Sequence, residues 1–182
     1  MMHKPLDPEF AARLHRIYRL ARPPTTPADF GALLRERNRT DPARRAFFEQ
    51  VQAGHAVIGA CTQARGYRLD LPDGATIQVM CAYDALMTAL LRGRGEVRAE
   101  CPHCGAPTHL VIEAHALTRA TPDTAVFWWG SGPQDAPGNP ICDHLHLFPS
   151  PEHLEAWLES RPDERGVALP IREAVAWLRA LY

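Results

Sequence analysis

The sequence predicts an α+β fold, in which three short N-terminal helices precede a mixed or antiparallel sheet domain with flanking helices. Two patterns support this. The first fifty residues contain three proline-capped segments with apolar side chains at helical spacing. From about residue 55, short runs rich in β-branched and aromatic residues alternate with turn residues. The 182 residues are 46% hydrophobic and 23% charged, which is typical of a folded globular chain of this length.

Each N-terminal helix is predicted to begin at a capping residue followed by proline. These pairs are Asp7-Pro8, Thr26-Pro27 and Asp41-Pro42. Apolar residues at helical spacing follow each pair: Phe10, Leu14, Ile17 and Tyr18; Phe30, Leu33 and Leu34; Phe47 and Val51. Three helices followed by a hairpin is the element order of a winged helix. We therefore predict a helical winged-helix-like region over residues 1–75 and a second, catalytic domain over residues 76–182.

Strands are predicted after the third helix. The first two cover His55–Cys61 and Tyr67–Leu71, and Asp73-Gly74 is a strong hairpin turn into Thr76–Met80.

The second domain alternates helices and strands. A buried apolar helix over Ala82–Leu91 is predicted to stop at a glycine-rich stretch. Predicted strands follow at Val97–Glu100, His109–Glu113, Ala125–Trp129, Ile141–Phe148 and Val167–Leu169, with helices from Ser150 to about Ser160 and over Ile171–Leu181.

Charge and cysteine content restrict the class of protein. The formal net charge of −1 argues against a surface that coats nucleic acid. The sequence has no apolar run of the roughly 18 residues that a membrane span needs and no apolar signal-peptide core. We therefore expect a cytoplasmic protein without a membrane partner. In that compartment its five cysteines, an odd number, would be reduced thiols.

Cys81 and Asp84 are predicted to lie at the start of the buried helix. The helix dipole and exposed N–H groups there favour a thiolate, so we expect the pKa of Cys81 to fall below its free value of about 8.5. The spacing of three brings Asp84 back towards Cys81, as in a capping box. A carboxyl group there could take a proton from a thiol and release it to a leaving group. Alternatively, Asp84 only caps the helix and Cys81 is a small buried hydrophobe.

Cys142 follows a loop rich in glycine and proline and precedes two histidines. On a strand, Cys142, His144 and His146 would face the same side. One interpretation is a soft-metal thiol supported by histidines. The other is that the histidines pack or hydrogen-bond in a sheet whose other face carries Leu145 and Leu147.

Cys101 and Cys104 form a Cys-Pro-His-Cys-Gly segment that resembles a zinc knuckle. A structural zinc site needs four ligands, and the sequence has no second Cys-x-x-Cys, so Cys61, His103 or His109 would have to complete it. A redox pair and a tight turn between two strands are the alternatives.

Five short segments follow one another along the predicted second domain. They are Cys-Ala-x-Asp-x-Leu at Cys81–Leu86, the turn Gly105-Ala106-Pro107, Cys-x-His-x-His-x-Phe at Cys142–Phe148, Glu155-Ala156-Trp157 and Arg172-Glu173-Ala174. In this combination the chain resembles the alkylmercury lyases (organomercurial lyases), from about Thr76 to Leu178.

The resemblance implies that Cys81 and Cys142 bind mercury and that Asp84 donates the proton to carbon. It implies an enzyme that acts on a small organomercurial substrate and needs no bound cofactor, only an external thiol as co-reactant. A mercury reductase would be the partner that receives Hg(II). Independently of the resemblance, Cys101 and Cys104 could hold a structural zinc ion.

A non-catalytic protein is the alternative function. A winged-helix metal sensor would bind DNA through the third helix, which carries Arg44 and Arg45, and a soft-metal sequestering protein would take up metal without releasing a product. The near-neutral charge argues against nucleic acid as a partner.

Overall fold

The computed structural model describes residues 2–62, 66–133, 135 and 141–182. Over these residues the chain forms six α-helices, one short 3₁₀ helix and two antiparallel sheets, so the predicted α+β class is confirmed. None of the helices in these ranges is both long enough and apolar enough to cross a membrane.

The three predicted N-terminal helices are present. They are α1 (Pro8–Tyr18), α2 (Pro27–Thr40) and α3 (Pro42–Gln52). Each begins where the sequence predicts, because the side chains of Asp7, Thr26 and Asp41 accept hydrogen bonds from backbone N–H groups of the first turn. The proline that follows each cap occupies a position whose N–H has no partner within the helix.

The larger sheet has five strands in the order β2-β1-β3-β4-β5. They are β1 (Tyr67–Asp70), β2 (Thr76–Gln78), β3 (Arg94–Glu100), β4 (Pro107–Glu113) and β5 (Ala116–Thr121). The predicted hairpin is confirmed, with Leu69 opposite Ile77. Leu69 also pairs with Val97 of β3, so the hairpin is the edge of this larger sheet.

The smaller sheet has three strands in the order β7-β6-β8. They are β6 (Val126–Ser131), β7 (Leu145–Phe148) and β8 (Arg165–Pro170). Helix α5 (Pro151–Glu159) connects β7 to β8, and α6 (Ile171–Arg179) follows β8 directly.

Helix α4 (Ala82–Arg92) is the centre of the core. It contacts β1 and β3 of the larger sheet, β7 of the smaller sheet, and helices α3 and α6. This explains why its sequence is apolar on every side, since a helix surrounded by protein has no face for water. Both sheets are therefore fixed relative to the first turn of α4.

The N-terminal helices are anchored to the smaller sheet and its neighbours. The guanidinium of Arg13, a buried residue of α1, donates to the carbonyl oxygens of Ser131 and Asp163, each at 2.9 Å. The indole Nε1 of Trp177 in α6 donates to the carbonyl of Pro27 at 3.1 Å. The winged-helix-like arrangement and the domain boundary at residue 75 stay predictions.

One predicted strand is wrong, and a second is correct only in its second half. His55–Cys61 is irregular and makes one isolated bridge, between Ala60 and Val79. Gly59 there adopts a φ of +61°, which a regular strand does not allow. In the predicted strand Ile141–Phe148, the first half is a 3₁₀ helix, Ile141–His144, and only Leu145–Phe148 is extended. Cys142, His144 and His146 therefore do not share one strand face.

The β3–β4–β5 region is also more extended than predicted. Strand β3 begins at Arg94, directly after Gly93 ends helix α4 in a left-handed conformation. Strand β5 (Ala116–Thr121) was not predicted, because its alternation of apolar and polar residues is weak: it is an edge strand that is largely half-buried or exposed.

We predict that Asp29 stabilises the start of α2 in a pH-dependent way. Arg22 binds its carboxylate at 2.6 and 2.7 Å and, with the N–H of Thr25, lowers the pKa of Asp29 to about 2. Asp29→Asn should lower Tm at pH 7 by about 1–4 °C, as expected for a mostly exposed ion pair.

Because the folded-state pKa lies below the unfolded value of about 3.9, this stabilisation exists above that value and disappears as the pH falls towards about 2. Thermal melts of both proteins between pH 7 and pH 2 would show the difference vanish. Glu113→Gln, at an exposed carboxylate, is the control. An equal effect of Asp29→Asn at every pH would contradict the prediction.

Candidate active site

Two thiols and one carboxyl group converge at the first turn of α4. The Sγ atoms of Cys81 and Cys142 and a carboxylate oxygen of Asp84 all lie within 4.8 Å of one another. In the part of the chain that the structure describes, this is the one group of three histidine, cysteine or acidic side chains so arranged. Cys81 is 0% exposed and Asp84 6%, whereas Cys142 is half-buried.

Asp84 is the hydrogen-bond acceptor at the centre of the group. The Cys142 thiol donates to Asp84 Oδ2 with a sulfur–oxygen distance of 3.7 Å. The Cys81 thiol and the Cys81 backbone N–H also donate to this carboxylate. The backbone bond has the geometry expected for a carboxylate three residues after a helix cap.

Burial changes the proton affinities of this group. It raises the pKa of Asp84, and the hydrogen bonds from the two cysteines offset that rise only in part. It also raises the pKa of Cys81 well above the usual thiol value, and the neighbouring Cys142 thiol and Asp84 charge act in the same direction. The predicted lowering of the Cys81 pKa is therefore wrong, because loss of water outweighs the helix dipole.

His146 fixes the 3₁₀ turn that carries Cys142. Its Nε2 lies 2.8 Å from the carbonyl of Asp143, which can only accept, so this nitrogen carries the proton. Its Nδ1 then accepts from the hydroxyl of Tyr67 at 2.8 Å. Burial lowers the pKa of His146 to about 4, which keeps the ring neutral as this arrangement requires. Tyr67 lies on β1, so the chain of bonds joins the two sheets beside Cys142.

His144 makes a second set of contacts, away from the thiols. Its Nδ1 lies 2.8 Å from Glu164 and its Nε2 3.3 Å from Asp135. Burial alone would lower the pKa of His144, but the bond to Glu164 and the charges of Glu164, Asp135 and Asp143 raise it overall. Both histidines therefore hydrogen-bond to protein groups, in agreement with the second interpretation of this segment.

Gly59 closes one side of the site, which sequence reasoning missed. A Cβ built at Gly59 would lie 2.0 Å from Asp84 Oδ2, so only glycine allows this approach. The N–H of Ile58 donates to the buried hydroxyl of Thr88 at 3.1 Å, which holds this segment on α4. The signal in the sequence was a single glycine inside a strand-like run, a feature typical of close backbone approach.

An aromatic wall, formed by Tyr18, Tyr83 and Trp129, borders the site. The ring of Trp129 lies 6.1 Å from that of Tyr18 and 5.4 Å from that of Tyr83. Burial raises the pKa of Tyr18, and charge on Cys81 and, more weakly, on Cys142 raises it further. Tyr18 belongs to α1, so the N-terminal helices contribute to the site. Sequence reasoning did not find Tyr18 or Tyr83.

Cys101 and Cys104 lie outside this group. They belong to the turn between β3 and β4, where Cys101 is buried and Cys104 is exposed. Cys61 is half-buried in the irregular segment before β1.

The family model and the curated relatives that match this chain all belong to one family. The family model for alkylmercury lyase (MerB) matches residues 60–182. The alkylmercury lyase of Streptomyces lividans is 31% identical over 106 residues, which are 56% of this chain and 47% of that protein. The alkylmercury lyase of Bacillus cereus is 30% identical over 105 residues, with the same coverage. The chain thus spans about half the length of the curated relatives it matches.

A solved structure extends the likeness of fold. The crystal structure of the mercury-bound form of MerB2 superimposes with a TM-score of 0.56 over 97% of this chain and 91% of that chain, at 21% sequence identity. The shared fold therefore includes the N-terminal helices, which precede the residues that the family model matches.

We predict that Gly59→Ala is destabilising because of Asp84. The added Cβ would collide with the carboxyl group, whereas Gly54, also at positive φ, has open space around it. Gly54→Ala should cost about 1 kcal/mol from backbone strain alone, and Gly59→Ala at least about 2 kcal/mol. Urea unfolding would measure both.

A double-mutant cycle separates strain from collision. In an Asp84→Ala background, Gly59→Ala should cost less, because most of the colliding atoms are gone. Equal costs in both backgrounds would contradict the proposed contact.

We predict that Tyr67→Phe loosens the turn that carries Cys142. The substitution removes the hydroxyl that donates to His146 and leaves a buried acceptor, at a cost of about 1–2 kcal/mol. Alkylation of Cys142 by iodoacetamide, followed by peptide mass spectrometry, should become faster. Tyr182→Phe is the matched control, since it deletes a phenol hydroxyl bonded to Tyr83 at 2.6 Å and should leave Cys142 labelling unchanged. Unchanged labelling in Tyr67→Phe would argue against this role.

Proposed function

Because this chain belongs to the alkylmercury lyase family, we propose that it cleaves the carbon–mercury bond of a small organomercurial compound by protonolysis. Cys81 and Cys142 are the mercury-binding thiols in this proposal, and Asp84 is the proton donor to carbon. The single observation that carries the proposal is the convergence of both sulfurs and the carboxyl group within 4.8 Å. Mercury is a very soft metal, and two thiolates satisfy it better than oxygen or nitrogen ligands do.

Binding begins with one thiol. The substrate R–Hg–X exchanges X for a thiolate of the protein, and that thiol's proton leaves with X. Cys142 is the half-exposed thiol and so the first that an incoming compound meets. The second thiol, Cys81, then adds to mercury and gives its proton to Asp84, which already accepts a hydrogen bond from it.

Cleavage returns that proton to carbon. As the second sulfur donates electrons to mercury, the carbon–mercury bond weakens and its electron pair moves to carbon. Protonated Asp84 transfers its proton to this carbon, which gives R–H and Hg(II) bound to two thiolates. One bond to carbon breaks and one C–H bond forms, with no change in oxidation state and no need for a bound cofactor.

Burial of the carboxyl group supports the role of Asp84. The raised pKa means that Asp84 binds a proton more readily than a carboxyl group in water. The close backbone of Gly59 fixes its position. A carboxyl group that accepts from both sulfurs can take the proton of one and deliver it to a carbon held between them.

The aromatic wall supports an organic substrate. In this proposal the half-buried rings of Tyr18 and Tyr83, which pack against the buried ring of Trp129, would receive the alkyl or aryl group of the substrate.

Product release requires an external thiol, because Hg(II) on two thiolates dissociates slowly without exchange. Two external thiols would replace Cys81 and Cys142 and return protons to them. We propose a mercury reductase as the partner that receives Hg(II), and a reducing compartment such as the cytoplasm.

Release of the hydrocarbon tests the function. Incubation with an alkyl- or arylmercury compound and excess thiol should give R–H, detected in the headspace. Cys81→Ser and Cys142→Ser should abolish it. Asp84→Asn should reduce it at least about 100-fold while mercury still binds, because both thiols remain.

Cys61→Ser and Asp73→Asn are the matched controls and should turn over normally, and melting curves check the fold. Normal turnover by Asp84→Asn would exclude Asp84 as the proton donor. Metal uptake without hydrocarbon from the unaltered protein would instead favour a soft-metal sequestering protein or a winged-helix sensor.

A further inference from the structure

A second pair of thiols lies in the turn between β3 and β4, outside the active site. Cys101 is 3% exposed and Cys104 is exposed, and both are free. Cys101 packs in a small apolar cluster with Trp128, Phe148 and Trp157. The pair therefore has one sulfur fixed in the protein and one that solvent reaches.

Two backbone hydrogen bonds close the turn that carries both cysteines. The N–H of Cys101 donates to the carbonyl of Ala106, and the N–H of Gly105 donates to the carbonyl of Cys101, each at 2.8 Å. Gly105 has a φ of +76°, which closes the turn at little cost.

Burial and nearby N–H groups act in opposite directions on the Cys101 thiol, and its pKa is raised overall. Burial raises the pKa of Cys101, but the backbone N–H groups of His103 and Cys104 donate to its sulfur and oppose that rise. The Cys104 thiol hydrogen-bonds to the same sulfur. N–H groups directed at sulfur also stabilise a metal-bound thiolate.

Within the described ranges, no third histidine, cysteine or acidic side chain joins this pair to form a group of three. His109, one candidate, instead contacts Glu96 at 2.8 Å. Structural zinc requires four protein ligands. Soft ions such as Hg(II) are satisfied by two thiolates.

We propose that Cys101 and Cys104 form a second soft-metal site, which binds Hg(II) as a dithiolate at the protein surface. Hg(II) bound to two external thiolates exchanges them for Cys101 and Cys104, and the two protons released by the cysteines pass to the departing thiolates. The proposal rests on the proposed function only for the choice of mercury as the natural ion. The exposed Cys104 gives an external dithiol access to the bound ion.

Mercury stoichiometry tests the site. The reduced protein is mixed with Hg(II) presented as its glutathione complex, desalted, and analysed by native mass spectrometry and by metal content. The unaltered protein should retain about two Hg(II) per chain, and Cys104→Ser about one. Cys81→Ser/Cys142→Ser should also retain about one, at the surface pair. Cys61→Ser is the matched control and should keep both.

Retention of two Hg(II) by Cys104→Ser, or of none by Cys81→Ser/Cys142→Ser, would overturn the proposal. Cys104 is exposed, so its substitution should leave the fold intact, which circular dichroism checks.

Two further measurements separate the alternatives. With Zn(II) as the probe, no stoichiometric retention is expected, and one Zn(II) per chain that is lost in Cys104→Ser would replace this proposal by a structural zinc site. Hydrocarbon release by Cys104→Ser in excess thiol should equal that of the unaltered protein. Failure of the lyase reaction would leave the mercury stoichiometry unchanged, so the two proposals fail independently.

Discussion

The burial of one carboxyl group between two thiols is the constraint on which the rest of the structure depends. Asp84 can be buried only because both cysteines donate to it and because Gly59 brings backbone, without a side chain, against it. Each of these contacts comes from a different part of the chain. The fold must therefore hold three separate segments at one helix terminus.

Helix α4 makes this possible by contacting both sheets. The larger sheet fixes the segment before and after α4, and the smaller sheet delivers the turn that carries Cys142. The hydrogen bond from Tyr67 to His146 joins the two sheets, and the bond from His146 to the carbonyl of Asp143 ties the turn of Cys142 to them. A neutral, half-buried histidine suits this task, because a charged ring there would lose solvation that the Glu164 charge offsets only in part.

The N-terminal helices also pack against the elements that form the site. Arg13 fixes α1 to Ser131 of β6 and to the turn before β8, and Tyr18 at the end of the same helix packs against Trp129. The family model begins only at residue 60, while the likeness of fold to the MerB2 structure covers 97% of the chain. The helices therefore retain their place in the fold where sequence similarity is too weak to detect, and they supply one wall of the site.

The sequence by itself determined the elements whose signals are local. These signals act within a few residues, and the helices and the hairpin they predict are present. They are the caps Asp7, Thr26 and Asp41, the Asp73-Gly74 turn and the apolar run of α4. Only the tertiary structure decided the rest. The contact of Gly59 with Asp84, the 3₁₀ turn at Cys142 and the raised pKa of Cys81 depend on distant segments that exclude water, and no local pattern encodes that exclusion.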